Sequence, residues 1–389
     1  MKRTKVLMMP SPPTSGSIGS TTKAIGIGRK LKEKGCDVRF VMGGKLAELI
    51  QSNNFYSYPA PQPIHNVDVS EINSFTDFIQ WTGLSDHLYI EEAVKAEIKA
   101  MKDFQPDVIF AETRPTATIS SKFMNIPSVM VASWPCYPEF EANKNSKSQV
   151  EGFNKVLKYY NQPLVESETE LIFTRADVKI APTLPELEPQ LQHIDGVKYV
   201  GYMLDLKEEK QTICEFENKE NPQIFIYLSV SAIPPKIYQQ VIDETFKDQP
   251  YNIICGLGYH DDISCKPNNS ANIKYYDYIS AASVIKNTDL MIFHGGQDSM
   301  MTSLLNGVPS IVIPGRHFER AFNAVQLEKT GATKILPVHA FRPKRLNLAI
   351  EEVIRGSYKN ASQAMAEKLK TFGGTEQCSN IIMETAKLL

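Results

Sequence analysis

The chain has 389 residues, long enough for two domains, with 42% hydrophobic and 22% charged residues, the balance of a globular protein with a substantial core. Its 42 basic and 44 acidic residues leave a net charge of -2, which gives no support for nucleic-acid binding by bulk charge. No stretch reaches the roughly 18 apolar residues of a membrane span, and the first apolar run, "VLMM", stops at prolines and is too short for a secretory signal. The six cysteines, Cys36, Cys136, Cys214, Cys255, Cys265 and Cys378, form no CxxC pair. They read as reduced thiols in a cytoplasmic protein, not as a disulfide frame or a zinc site.

Taken in chain order, "KVLMM" reads as a strand. It runs into Pro10–Lys30, "PSPPTSGSIGSTTKAIGIGRK", a glycine-rich passage that has the look of a nucleotide-phosphate cradle. A helix is expected from Thr21 to Lys34, with Ala24, Ile27 and Leu31 on one face, Ser20 or Thr21 as N-cap and Gly35 past its end. "DVRFVMG" is the next strand, "EEAVKAEIKAMKDF" a helix, "PDVIFAE" a strand, "ISSKFMN" a helix and "IPSVMVASW" a strand. After Thr183 the pattern loosens, through the strand "VKYVGYML" into the charged stretch "DLKEEKQTICEFENKENPQ", read in part as a linker. A second run follows, with strands "IFIYLSV", "YNIICGLG", "IKYYDYI", "DLMIFHGG" and "PSIVIPG" and helices between them. Alternation of this kind predicts an α/β protein of two doubly wound halves, with ligands at the carboxyl ends of strands in the cleft between them.

The sharpest chemistry lies in Asp289–Ala332, "DLMIFHGGQDSMMTSLLNGVPSIVIPGRHFERAFNAVQLEKTGA". A strand ends at Phe293, His294-Gly295-Gly296 make a turn, and Gln297, Asp298 and Ser299 open a helix. The amides and dipole of that helix N-terminus favour a phosphate. The two glycines allow close backbone approach, and Ser299 and His294 add side-chain donors. Asp298 also fits as nothing more than a charge at a helix start.

This segment resembles the donor-sugar signature of inverting, UDP-glycosyltransferase-like enzymes of GT-B architecture, the family 1 and macrolide glycosyltransferase type. The matching residues are His294-Gly295-Gly296, Ser299, Gly307-Val308-Pro309, Pro314, Glu319, Asn323-Ala324 and Gly331. Looser matches run through "LKEKGCDVRFV", "PDVIFAETRPTATISSKFMNIPSVMV", "APTLPELEP" and "YVGYML". The resemblance implies two Rossmann-like domains facing a central cleft. Residues 1–210 would bind the acceptor and residues 222–370 the nucleotide sugar, and a C-terminal helix in 371–389 would pack back on the first domain. It implies that His294 and Ser299, with the amides after Gly295 and Gly296, contact the diphosphate. Glu319 and Arg320 occupy the acidic and Gln positions that hold sugar hydroxyls. Arg320 departs from the pattern, since a guanidinium only donates and carries a charge. It points to an acidic donor sugar or to a pair with Glu319. Ser229, near Ser231, falls on the phosphate side. Tyr278 and Ile279 fall where the base is held, although Tyr275, Tyr276 and Tyr278 equally fit a packing role.

In the same family a histidine in the first loop is the general base, oriented by a carboxylate at a mid-domain strand end. Counting back from Gly35 puts Ser20 at that position, and the loop has no histidine. The carboxylate falls at Glu112. Glu112 could itself be the base, His65 or His87 could supply an imidazole, or the protein could bind without transferring. Arg114 is close enough in sequence to neutralise Glu112. Ser20 also fits a simple helix cap. The acceptor pocket is expected from residues of about 44–87 and 138–164.

The reading is therefore a hexosyltransferase-type glycosyltransferase. It would move a sugar from a UDP- or dTDP-linked donor to a small-molecule acceptor, as in natural-product glycosylation, by inversion and without a metal or resident cofactor. A monomer or homodimer is expected, with no nucleic-acid partner. An inactive sugar-nucleotide-binding accessory protein and a nucleotide-sugar epimerase of the same fold are the alternatives.

Overall fold

The structure is a computed structural model that describes residues 3–12, 18–63, 72–144, 150–203, 216–228, 233–257, 269–277 and 279–387. The chain divides into two compact units. The first contains β1 (Lys5–Met9), α1 (Ile18–Glu33), β2 (Asp37–Val41), α2 (Gly44–Ser52), β3 (Tyr56–Tyr58), α3 (Phe75–Trp81), α4 (His87–Phe104), β4 (Val108–Glu112), α5 (Thr116–Met124) and β5 (Ser128–Val131). It continues with α6 (Glu141–Lys144), α7 (Val150–Tyr159), α8 (Glu170–Phe173), β6 (Val178–Ala181) and β7 (Val197–Tyr199). The second unit contains β8 (Gln223–Tyr227), α9 (Pro235–Phe246), β9 (Asn252–Gly256), β10 (Ile273–Tyr276), α10 (Ala281–Val284), β11 (Leu290–Phe293) and α11 (Gln297–Leu305). After these come β12 (Ser310–Val312), α12 (Phe318–Lys329), β13 (Thr333–Ile335), α13 (Pro343–Arg355) and α14 (Tyr358–Lys370). The last helix, α15 (Gly374–Thr385), belongs to the first unit.

Each unit is an open sheet whose described pairings are all parallel, ordered β3-β2-β1-β4-β5-β6-β7 in the first and β10-β9-β8-β11-β12-β13 in the second. Strands in such sheets are covered on both faces, so they are apolar throughout rather than alternating. β4 is buried at all five positions and β11 at all four. The strand order reverses between β1 and β4 and again between β8 and β11. Those reversals open a crevice at the carboxyl ends of the flanking strands. In the first unit the reversal lies by Pro10, Ser11 and Glu112, and in the second unit by Tyr227 and His294, each unit having its own crevice.

The helix expected at Thr21–Lys34 starts earlier, at Ile18, and ends at Glu33. Ser20 therefore sits inside its first turn and is not its cap. Of the glycines in the passage that suggested a phosphate cradle, Gly19, Gly26 and Gly28 lie in this helix, and Gly16 lies outside the described residues. A Cβ on Gly28 would come within 3.2 Å of the Phe55 ring and 3.3 Å of Phe40. The glycine lets α1 lie close on the sheet instead of holding a ligand. At the other end of the helix Gly35 takes φ +85°, the left-handed turn a helix C-terminus favours. α15 packs on α1 and against β4 and β5, with Cys378, Ile381 and Ile382 in the core of the first unit. Strands β3, β6 and β13 were not anticipated: they are three or four residues long, too short for a periodicity to show. Cys36, Cys136, Cys255 and Cys378 carry free thiols. Among the described residues no helix is long and apolar enough to cross a membrane.

Candidate functional site

In the first unit the site is built around Glu112, the last residue of β4, which is 5% exposed. Its Oε1 lies 2.9 Å from Nζ of Lys23, itself nearly buried, one turn into α1 from Ser20. Lys23 escaped the sequence reading because a lysine in an amphipathic helix is normally solvated. Its helix phase turns it inward. Ser20 is not placed as a base. Its Oγ accepts the Ser11 amide at 3.0 Å, while the Ser11 hydroxyl donates to the Glu112 carbonyl at 3.1 Å. The hydroxyl where the family keeps an imidazole thus fastens the loop to the strand end. Thr113 follows with φ +45°, a β-branched residue in the left-handed region, at a cost on the order of 1–2 kcal/mol. The chain is forced to turn sharply just after the carboxylate.

Arg114 does not neutralise Glu112. Its Nε donates to Oε1 of Glu97 at 2.8 Å, and both side chains are essentially inaccessible. Its Nη1 donates to the carbonyls of Val41 at 2.9 Å and Pro10 at 3.3 Å. Glu97 accepts further from Thr116 Oγ1 at 2.7 Å and Ser120 Oγ at 2.6 Å. The ion pair braces the carboxyl ends of β1 and β2, and Lys23 is left as the counter-charge of Glu112. His87 opens α4. His65 lies outside the described residues.

In the second unit Phe293 and Tyr227 are register partners on β11 and β8, and His294 follows directly, 9% exposed. Gly295 has φ +91°, and a Cβ there would come within 2.8 Å of the Arg320 carbonyl. The position admits only glycine because the first turn of α12 presses on it. Asn323 Nδ2 donates to the Gly295 carbonyl at 3.0 Å and locks the same contact. Gly296 is the N-cap of α11, so Gln297, Asp298 and Ser299 form its first turn. The amides and dipole of that first turn favour an anion, to which the Asp298 charge is opposed. Glu319 and Arg320 stand in the first turn of α12.

Arg320 is electrostatically coupled to Glu319, to Tyr227 and to two histidines, His294 and His317. Burial, then the nearby guanidinium, pulls His294 down to about 3 and His317 to about 4. A hydrogen bond to the Tyr227 backbone opposes the shift at His294. The two ring centroids of Tyr227 and His294 are 5.6 Å apart. His317 and Tyr227 were not singled out from the sequence, since neither falls on a motif position.

Both histidines are neutral in the fold and charged in the unfolded chain below pH 6.5, so the unfolded state binds more protons there. Stability is complete above pH 6.5 and falls as pH drops toward 4. At pH 5 His294 is expected to cost about 2 kcal/mol, with His317 adding in the same sense. Urea unfolding at pH 7 and pH 5 checks this. His294→Gln should lose less stability on acidification than the wild type, and an equal loss in both would disprove the assignment.

Ile279 is buried against Gly256. The Tyr275 hydroxyl donates to Asp243 at 2.7 Å, a packing role. Ser229, Ser231 and Tyr278 lie outside the described residues.

Residues 234–377 match the glycosyltransferase family 28 C-terminal domain. An uncharacterized glycosyltransferase of Methanosarcina acetivorans is 22% identical over 92% of both chains. The NDP-glycosyltransferase YjiC of Bacillus subtilis is 24% identical over 72% of each. Among solved structures, the kitacinnamycin glycotransferase superposes with TM-score 0.78 at 14% identity, covering 99% of this chain and 100% of its own. The calicheamicin glycosyltransferase CalG4 gives 0.75 at 15% identity, with complete coverage of both chains. The chain has the GT-B fold of these structures, and its relatives mark it as a glycosyltransferase.

Both candidate sites of this glycosyltransferase sit at the strand-order reversals of its two sheets, where an α/β fold leaves backbone ends uncovered. The family-model match begins just before α9 and so contains the whole His294–Asn323 region.

Proposed function

We propose that the protein transfers a sugar from a UDP- or dTDP-linked donor to a hydroxyl of a small-molecule acceptor, with inversion and without a metal or resident cofactor. The observation that carries this is the glycine turn and helix start at the β8–β11 reversal. There the His294-Gly295-Gly296 turn opens α11 and Arg320 stands alongside from α12. In this reading the α11 amides and the Arg320 charge offset the negative charge of the departing diphosphate, the task a bound cation performs elsewhere. Glu112 takes the acceptor proton, held as a carboxylate by Lys23. The reduced cysteines fit a cytoplasmic enzyme.

One observation favours a second reading, a sugar-nucleotide-binding protein that does not transfer. Ser20 is spent on the Ser11 amide and the Glu112 charge is already paired. Incubation with UDP- and dTDP-sugars, alone and with phenolic and alcoholic acceptors, in EDTA, separates the two. The expected result is glycoside formation, with anomeric proton couplings showing inversion. Nucleotide-sugar binding with no turnover on any acceptor would reject transfer in favour of the accessory role.

A further inference from the structure

His317 lies beside the site just described and belongs to no motif, yet it shares an uncommon feature with His294. In each ring Nδ1 is buried and, among the described residues, has no hydrogen-bond partner. Native proteins rarely leave such atoms unpaired, and two in one pocket point to a ligand that completes them. His317 is stacked on Phe318, with ring centroids 5.2 Å apart and planes 18° from parallel. His294 is coupled electrostatically to it and bonded to the Tyr227 backbone.

The chemistry of the ring nitrogens identifies what the ligand must do. A neutral imidazole has one donor and one acceptor nitrogen. His294 spends its donor on the Tyr227 backbone, so the remaining Nδ1 presents a lone pair. Phosphate oxygens only accept, so a lone pair facing one is repulsive. A proton on Nδ1 turns that contact into a charge-assisted hydrogen bond. The charged groups around the pair come from every neighbouring element. Arg320, with Glu319 coupled to it, comes from the first turn of α12, and β8 offers the Tyr227 ring; Asp298 opens α11 and Arg316 precedes His317 in the chain. Burial, and after it the Arg320 charge, keeps both histidines neutral without a ligand. Two phosphate charges reverse that balance.

We propose that His317 is a second imidazole ligand of the donor's diphosphate, and that the His294–His317 pair takes up a proton from solvent when the diphosphate binds. This rests on the donor-site reading above and goes beyond it. It makes donor affinity pH-dependent and gives the pocket a mobile positive charge, present only when the diphosphate is.

Isothermal titration with UDP-glucose and dTDP-glucose tests it, in buffers of differing ionisation heat. Neither nucleotide sugar has a phosphate proton titrating near neutrality, so any uptake belongs to the protein. The expected result at pH 6 is uptake on the order of one proton per site. Affinity should fall by up to about tenfold per pH unit as pH rises through neutrality. His317→Gln should reduce the uptake and weaken binding. The proton count on the wild type stands by itself if that variant fails to fold. Binding with no uptake and no pH dependence, or wild-type uptake in folded His317→Gln, overturns the inference and leaves the donor site standing. Failure of both nucleotide sugars to bind overturns the donor-site reading and the inference with it.

Discussion

Glu112→Gln is expected to leave nucleotide-sugar binding unchanged and to lower turnover by about 10²–10³-fold, within the usual range for loss of a general base. Glutamine keeps the volume and still offers an oxygen to Lys23 Nζ, 2.9 Å away in the wild type. What it loses is the capacity to take a proton. The variant also leaves the Lys23 ammonium buried without its counter-charge, a defect that can by itself disturb a fold. A companion variant resolves this. In Lys23→Met/Glu112→Gln neither charge of this pair remains, so stability should recover most of any loss while turnover stays low. Steady-state kinetics on the acceptor, donor titration and thermal melts of the three proteins read the outcome. If the double variant regains turnover together with stability, the pair is a structural ion pair and the base lies elsewhere. Wild-type turnover in Glu112→Gln would remove the residue from the mechanism outright.

Arg114→Met is expected to destabilise the first unit by about 3–5 kcal/mol, the usual consequence of deleting one partner of a buried ion pair. The side chain is 2% exposed and its partner Glu97 fully buried. Glu97 would keep Thr116 and Ser120 as donors but would hold an uncompensated charge. The carbonyls of Pro10 and Val41 would lose a donor as well. Against a total stability of roughly 5–15 kcal/mol this is a large fraction. Urea unfolding should show the unfolding of the first unit moving to lower denaturant. Arg114→Met/Glu97→Leu should be more stable than Arg114→Met alone, because no charge is then buried unpaired. A loss under about 1 kcal/mol in the single variant would mean that water reaches the pair.

The fold was legible in the sequence because its cause is local. Fully covered parallel strands are short apolar runs, and "KVLMM", "PDVIFAE" and "DLMIFHGG" gave β1, β4 and β11 within a residue or two of their ends. The donor-side turn was legible for a similar reason. Gly295, Gly296 and Asn323 answer to backbone geometry, a close carbonyl and a locked loop, and such demands fix a residue type at a fixed spacing. The strand-end carboxylate was equally visible, since Glu112 closes an apolar run.

What escaped was every pairing between elements distant in sequence. Lys23 sits 89 positions from Glu112, by the difference of their numbers. In the sequence it is one more lysine in a helix. Arg114 is two positions from Glu112 and looked like its partner, but Thr113 between them takes φ +45° and turns the chain, and Arg114 reaches Glu97 on α4 instead. Tyr227 meets His294 because β8 pairs β11 in register, and His317 because β12 pairs β11 on its other side. By itself the sequence determined the two doubly wound sheets and the glycine turn that opens α11, since hydrophobic period and backbone strain are set residue by residue. The tertiary structure alone decided which charges meet. It gave Lys23 to Glu112, Glu97 to Arg114, and two neutral histidines to Arg320, because the energy of a buried charge depends on what the fold brings within a few ångströms of it.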